Sequence, residues 1–191
     1  MPRGRAALPM AGWANRRGVR ASRARGLDSR PVAALVVLAV LLATYAYKHW
    51  MPQAPLIGRA RVIDGDTIDI AGTRIRLEDI DAPEANQTCV DSRGQAWPCG
   101  KTATDELRAH INGREVNCKA NGVDRYRRVL AVCSLPDGSD VNAWMVRQGW
   151  ALASGFAGNY GSEEQAAQAS KRGIWAGTFT PPREWRQQHP R

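Results

Sequence analysis

The sequence predicts a β-barrel with added helices, an α+β domain of about five strands and about three helices, preceded by one transmembrane or signal-anchor helix. Three observations carry that reading. Residues 67–80 alternate polar and apolar side chains on either side of a glycine. Three later segments repeat apolar residues at helical spacing or open with a helix-start signal. One uncharged run, from Val32 to Tyr47, stands apart from everything that follows.

The apolar run comes first in the chain. Arg16, Arg17, Arg20, Arg23, Arg25 and Arg30 precede it, and Lys48, His49 and Trp50 follow. At sixteen residues it is just short of the roughly 20 that a spanning helix needs, and it suits a signal anchor or the apolar part of a signal peptide. The Arg excess on its N-terminal side assigns that side to the cytoplasm and the rest of the chain to the extracytoplasmic side. An anchor is favoured over a cleaved signal because the Arg-rich segment is long, although Thr44-Tyr45-Ala46 is a permissible cleavage site that would give a secreted protein. The expected divisions are an Arg-rich segment 1–30, the anchor 31–50, a linker 51–56, a folded domain 57–177 and a polar tail 178–191 opened by Pro181-Pro182.

Charge says less than it first suggests. The net charge is +9, yet residues 1–50 hold nine Lys or Arg against a single Asp. The remaining residues hold 18 basic against 17 acidic groups. The basic balance therefore belongs to the N-terminal segment and identifies no substrate for the domain.

Strands begin near Ile57. Thr67-Ile-Asp-Ile70 alternates, Ala71-Gly72 interrupts, and Thr73-Arg-Ile-Arg-Leu-Glu-Asp-Ile80 resumes with Ile75 and Leu77 on one face. A turn near Gly72 folds these into an antiparallel hairpin. Glu115–Cys118 and Val129–Cys133 read as two further strands. Ala103, Leu107 and Ile111 mark a helix closed by Asn112-Gly113. Val141, Trp144, Met145 and Gln148 mark a second, closed by Gly149. Ser162-Glu-Glu-Gln165 is a capping box that opens a third, ending near Lys171-Arg172-Gly173. Strands with helices inserted between and after them suggest a small closed barrel, of which the OB-fold is the commonest type.

Cys89, Cys99, Cys118 and Cys133 all lie in the exported part. None forms Cys-x-x-Cys and the three His are scattered, which argues against zinc. An even count in an oxidising compartment reads as two disulfides. Of the three possible pairings the local one is expected, Cys89–Cys99 and Cys118–Cys133.

The chemistry lies in two acidic clusters, Asp64-Gly-Asp66 and Asp81-Ala-Pro-Glu84. Folding the hairpin at Gly72 sets Asp66 opposite Leu77 and brings both clusters to its open end. Crowded carboxylates repel unless a cation offsets them, and an oxygen-rich set suits calcium or magnesium. Arg76 lies on the same hairpin, and Arg127-Arg128 precedes another strand. Metal-holding carboxylates beside fixed guanidinium groups are what phosphoryl transfer requires.

Four ordered motifs now bear a resemblance. Val62-Ile-Asp-Gly-Asp-Thr67, Ile75-Arg-Leu-Glu-Asp-Ile-Asp-Ala-Pro-Glu84, Asp124-Arg-Tyr-Arg-Arg-Val-Leu130 and Val141-Asn-Ala-Trp-Met-Val-Arg-Gln-Gly149 resemble the successive motifs of the staphylococcal nuclease (thermonuclease) family, and Gly173-Ile-Trp175 matches its close. The resemblance runs from about Leu56 to Gly177 and implies a five-stranded OB barrel with three helices that hydrolyses DNA and RNA with calcium. It makes Asp66 and Asp81 direct calcium ligands, with Asp64 behind them through water. Ala82 stands where the family commonly has Thr and would contribute its main-chain carbonyl. Glu84 would be the general base or water-orienting carboxylate, and Arg76 and Arg128 would hold the phosphate and stabilise the transition state. Tyr126 matches an aromatic near the terminal phosphate. Two departures stand out: Arg127 replaces a usual Gly, and residues 153–160 lack the family's base-packing Tyr pair, leaving Phe156 and Tyr160 as substitutes. Arg127, Phe156 and Tyr160 thus join Tyr126 as expected substrate contacts.

The expected partners are a nucleic-acid substrate and, through the apolar run, a membrane; no protein partner is implied and a monomer is expected. Two other readings compete: a catalytically weak OB-fold module that binds nucleic acid or protein, and an accessory to envelope or polysaccharide assembly.

Overall fold

A computed structural model describes residues 29–50, 54–155 and 159–190. The chain divides into two units, residues 1–51 and 52–191. In the first, helix α1 spans Ser29–Trp50, and its side chains from Val32 to Tyr47 are exposed. Among the described residues no helix is long and apolar enough to cross a membrane.

The second unit is built on a barrel. Strands β1 (Leu56–Asp64), β2 (Thr67–Ile70), β3 (Thr73–Leu77), β7 (Glu115–Val123) and β8 (Val129–Ser134) close in the order β1-β2-β3-β8-β7. All neighbours are antiparallel except β3 and β8, which run parallel. The β2–β3 register pairs Thr67 with Arg76 and Ile70 with Thr73, as the alternation predicts. Ala71 and Gly72 both have positive φ, 50° and 86°, the two-residue turn whose twist matches a hairpin.

The predicted continuous strand through Ile80 is broken. Asp79 takes a φ of 59°, which turns the chain so that β4 (Ile80–Asp81) leaves the barrel and pairs with β9 (Leu152–Ala153). A second small pair, β5 (Cys89–Val90) and β6 (Ala96–Trp97), lies outside the barrel.

Helix α2 (Cys99–Ile111) buries Ala103, Leu107 and Ile111 and ends at Asn112 and Gly113, both left-handed. Helix α3 (Val141–Arg147) is capped by Asp140, whose carboxylate accepts from the Ala143 N–H at 2.9 Å. Its Asn142, fully buried, donates to the carbonyls of Glu78 and Ala131 and accepts from the Cys133 N–H, bracing β3 against β8.

The capping box does not form. Helix α4 (Gly161–Ala169) has Tyr160 at its N-cap without a side-chain bond, and the Ser162 hydroxyl donates to Glu163. Other partners recruit the acidic residues: Glu163 pairs with Arg147 at 3.0 Å, and Glu164 accepts from the Ala153 N–H at 3.1 Å. A 3-10 turn follows at Gly173–Ala176. Residues 178–191, expected as a polar tail, include helix α5 (Pro182–Gln188). Pro182 starts this helix instead of preventing one, since the missing N–H at the first helical position has no partner to lose. A Gln188 to Glu184 hydrogen bond and Trp185 stacked on His189 support its single exposed face.

Both local disulfides are present. Cys118 and Cys133 face each other across β7 and β8 with Cα atoms 4.0 Å apart, and Cys89–Cys99 ties β5 to the start of α2. The β7–β8 bridge closes a loop of 15 residues, for which chain entropy suggests about 3 kcal/mol. The Cys118→Ala, Cys133→Ala double variant should therefore lose about that much in urea unfolding; a loss under about 0.5 kcal/mol would show that the paired strands already supply the constraint.

Candidate active site

The open end of the β2–β3 hairpin is where the acidic clusters meet. Gly65 makes this possible: a Cβ there would lie 2.7 Å from the Cβ of Ala82, so only glycine lets the Asp64–Asp66 turn close onto the second cluster. Asp64 steadies the turn by accepting from the Asp66 N–H at 3.1 Å. Asp66 and Asp81 are buried polar residues, joined by the Arg76 guanidinium. Arg76 reaches both Asp66 oxygens at 2.8 Å and Asp81 Oδ1 at 3.0 Å. Thr67 donates to Asp66 at 2.9 Å, and the Ala82 N–H approaches its other oxygen at 3.4 Å.

Burial pushes the Asp66 carboxyl up to about 7; Arg76 pulls against this, while Asp64 and Asp81 add to it. For Arg76 burial favours the neutral form, but Asp66 and Asp81 more than reverse this and its pKa rises.

Glu84 is set by its backbone. Its N–H donates to the Gln87 side chain at 3.2 Å, and its carbonyl accepts from the Gln87 N–H at 2.7 Å. Gly100, in the first turn of α2, packs so closely that a Cβ would sit 1.7 Å from the Glu84 carbonyl oxygen. The Gln87 amide, fully buried, also donates to the Thr180 carbonyl at 2.7 Å.

Arg128, next to the start of β8, lines the same cleft. Asp124 accepts from its Nε at 2.8 Å and from its N–H at 2.9 Å, and Arg128 Nη1 approaches the Thr67 hydroxyl at 3.3 Å. Burial opposes ionisation of Asp124, but these bonds and the Tyr126 N–H hold its carboxyl below the usual range. Tyr126 is exposed at the cleft edge with Arg125 over its ring at 4.8 Å. The cleft measures about 1180 Å³, and Asp64, Asp66, Arg76, Ala82, Glu84, Tyr126 and Arg128 all line it.

Three expected substrate contacts fare differently. Tyr160 is buried in the core with its hydroxyl 3.3 Å from Asp140; it packs the domain and does not line the cleft. Arg127 is exposed and also does not line the cleft. Its φ of 66° explains why glycine suits this position, since a left-handed residue with a Cβ costs about 1–2 kcal/mol. Phe156 lies outside the described residues.

The sequence reading missed Arg186. From α5 its Nη1 contacts Asp81 Oδ1 and Glu84 Oε1, and its Nη2 contacts Asp81 Oδ2, each at 3.0 Å. Gln87 was missed too, because a lone glutamine in a loop carries no pattern.

Among the described residues no three Asp, Glu, His or Cys side chains surround a point that could hold a metal ion as they lie. Arg76 bridges Asp66 to Asp81, and Arg186 bridges Asp81 to Glu84. In kind the donors fit a hard cation: they are carboxylate and carbonyl oxygens only, and the buried Asp66 gains from any added positive charge.

The family described as "Staphylococcal nuclease homologue" matches residues 74–177, over half the chain, including Arg76, Asp81, Glu84 and Arg128. The chain belongs to the staphylococcal nuclease family. Among its relatives within and around this family, the succinoglycan biosynthesis protein ExoI of Rhizobium meliloti is 40% identical over 84% of this chain and 83% of its own length. The micrococcal nuclease of Shigella flexneri is 33% identical over 77% and 84%. The thermonuclease of Staphylococcus hyicus is 33% identical over 59% and 67%. The matched residues run from β3 to the 3-10 turn; β1, β2, Asp64 and Asp66 precede them, and α5 and its Arg186 lie beyond.

Proposed function

We propose that this chain is a calcium-dependent nuclease that hydrolyses phosphodiester bonds in DNA, RNA or both, acting as a monomer outside the cytoplasm. The observation that carries the reading is the convergence of Asp66, Glu84, Arg76 and Arg128 on one cleft, with Asp81 joined to Arg76 at 3.0 Å. Asp66, Asp81 and the Ala82 carbonyl would hold the ion, with Asp64 behind them through water. Calcium, when bound, supplies positive charge against the phosphoryl oxygens. Glu84 orients a water for in-line attack and takes its proton. Arg76 and Arg128 offset the charge that grows on the non-bridging oxygens, and Tyr126 flanks the phosphate at the cleft edge.

Release of acid-soluble nucleotides by the purified chain tests this. Activity should appear with calcium and vanish in EDTA. Magnesium, which demands tighter octahedral geometry and gives up its water reluctantly, should substitute poorly. Equal turnover in calcium and in EDTA would rule out the metal assignment.

The same proposal includes retention at the membrane by α1. Its uncharged run and the Arg residues before it support a cytoplasmic N-terminus. A reporter fused after Arg191 should be active only outside the cytoplasm, and cytoplasmic activity would overturn this orientation. A mature chain starting at Tyr47 would instead indicate cleavage and secretion.

A second reading has one observation in its favour, the name of the Rhizobium meliloti relative: an accessory to polysaccharide assembly. It predicts altered envelope polysaccharide in a deletion strain together with a purified chain that leaves nucleic acid intact.

A further inference from the structure

The approach to the acidic site from α5 is fixed by the core. Thr178 forms an antiparallel bridge with Val90, with N–O distances of 2.9 and 2.8 Å, and Pro182 is buried. Between them the Thr180 carbonyl is held by Gln87, the same residue that pins the Glu84 backbone. The start of α5 and the loop bearing Glu84 are thus tied through one buried amide, which sets Arg186 over Asp81 and Glu84. Its side chain remains 39% exposed. It can therefore swing along the cleft without moving the helix.

The charges then decide what Arg186 does. Arg76 spans Asp66 and Asp81 and Arg128 is matched by Asp124, whereas Arg186 sits on Asp81 and Glu84, the carboxylates that the nuclease reading gives to the ion and to the water. Arg186 and the ion need the same oxygens, since Asp81 offers both of its oxygens to the guanidinium.

Resting on the nuclease reading above, we propose that Arg186 is a further substrate-phosphate arginine, held on Asp81 and Glu84 in the metal-free protein and released by calcium to the incoming phosphodiester. A fork of N–H donors suits both partners in turn, carboxylate first and phosphate second.

The test uses the full-length chain in detergent. Calcium is titrated calorimetrically without substrate into the unchanged protein and into Arg186→Ala, Arg186→Gln and Arg61→Ala. Removing the competing cation should tighten calcium binding about threefold to tenfold in both Arg186 variants, the scale of a partly exposed ion pair. Arg61→Ala should leave it unchanged, as Arg61 is 70% exposed, pairs with Asp69 and does not line the cleft. In saturating calcium, both Arg186 variants should raise KM for a short oligonucleotide about tenfold, with kcat changing less. Thermal unfolding of each variant identifies any that fail to fold, and Arg186→Gln, which keeps donors and length, carries the test if Arg186→Ala does not. Unchanged or weaker calcium binding would make Arg186 a plain tether for the C-terminus and overturn the proposal. Tighter calcium with an unchanged KM would overturn its role toward substrate. Failure of the unchanged chain to bind calcium or cut nucleic acid would instead refute the nuclease reading on which this rests.

Discussion

Arg76→Ala should lower turnover by about 10²–10³, the usual loss when one preorganised donor to a developing charge is removed. Its effect should also exceed that of Arg128→Ala in one respect. Arg128 leans on Asp124, at the cleft edge, so truncating it leaves a carboxylate that water can reach. Arg76 is the bridge between Asp66 and Asp81, and its loss leaves the buried Asp66 carboxylate without an ion pair among the described contacts, while Asp81 keeps Arg186. Removing one partner of a buried pair costs more than the pair itself contributes. In EDTA, Arg76→Ala should therefore unfold at a lower temperature than Arg128→Ala, and calcium should recover more of that loss, because the ion supplies the charge that Arg76 supplied. Arg→Lys at either position should restore turnover only in part, as a point charge cannot span two oxygens. Arg74, on the same strand, lines the cleft and is an unsuitable control. Arg61, 70% exposed and paired with Asp69, is a better one, and Arg61→Ala should cost little. If Arg61→Ala were as damaging as Arg76→Ala in folded protein, the role given to Arg76 would be wrong.

The contrast between these arginines shows what the sequence could and could not convey. Alternation around Gly72 specified the β2–β3 register, because side chains on a strand have a period of two and a slip by one would expose Ile68 and Ile75. That register set Arg76 opposite Thr67, beside Asp66; Asp81 joins them only through the turn at Asp79 and the β4–β9 pair. The local disulfides were expected as the short-range pairing of the four cysteines, and Cys118 and Cys133 lie opposite each other on β7 and β8. Features that depend on a single distant partner were not legible. Ser162-Glu-Glu-Gln165 reads as a capping box, but α4 already begins at Gly161, which leaves Ser162 inside the helix. Tyr160 reads as a stacking aromatic until the core closes over it. Asn142 and Gln87 look like solvated polar residues, yet Asn142 ties the Glu78 carbonyl to β8 and Gln87 ties the Glu84 backbone to Thr180. Arg186 was hidden twice, by a Pro-Pro pair that reads as the end of structure and by a helix too short to show a period.

Glu84→Gln should lower turnover by about 10²–10⁴, the range that general acid–base catalysis supplies, while KM changes little. The substitution keeps the side chain's size, and the amide oxygen can still accept from Arg186. Its backbone position depends on Gln87 and on the close packing of Gly100; neither involves the carboxylate. Loss of turnover in this variant therefore reports lost proton transfer and not a displaced loop, a distinction that unfolding curves and calcium titrations matching the unchanged protein would establish. Gly100→Ala provides the reverse case. It leaves the carboxylate in place but forces a Cβ against the Glu84 carbonyl, so the base is moved without being removed. Glu84→Gln should keep its affinity for calcium and oligonucleotide with the step after binding slowed; Gly100→Ala should lose stability and turnover together. Full activity in folded Glu84→Gln would assign the water-activating step to another residue.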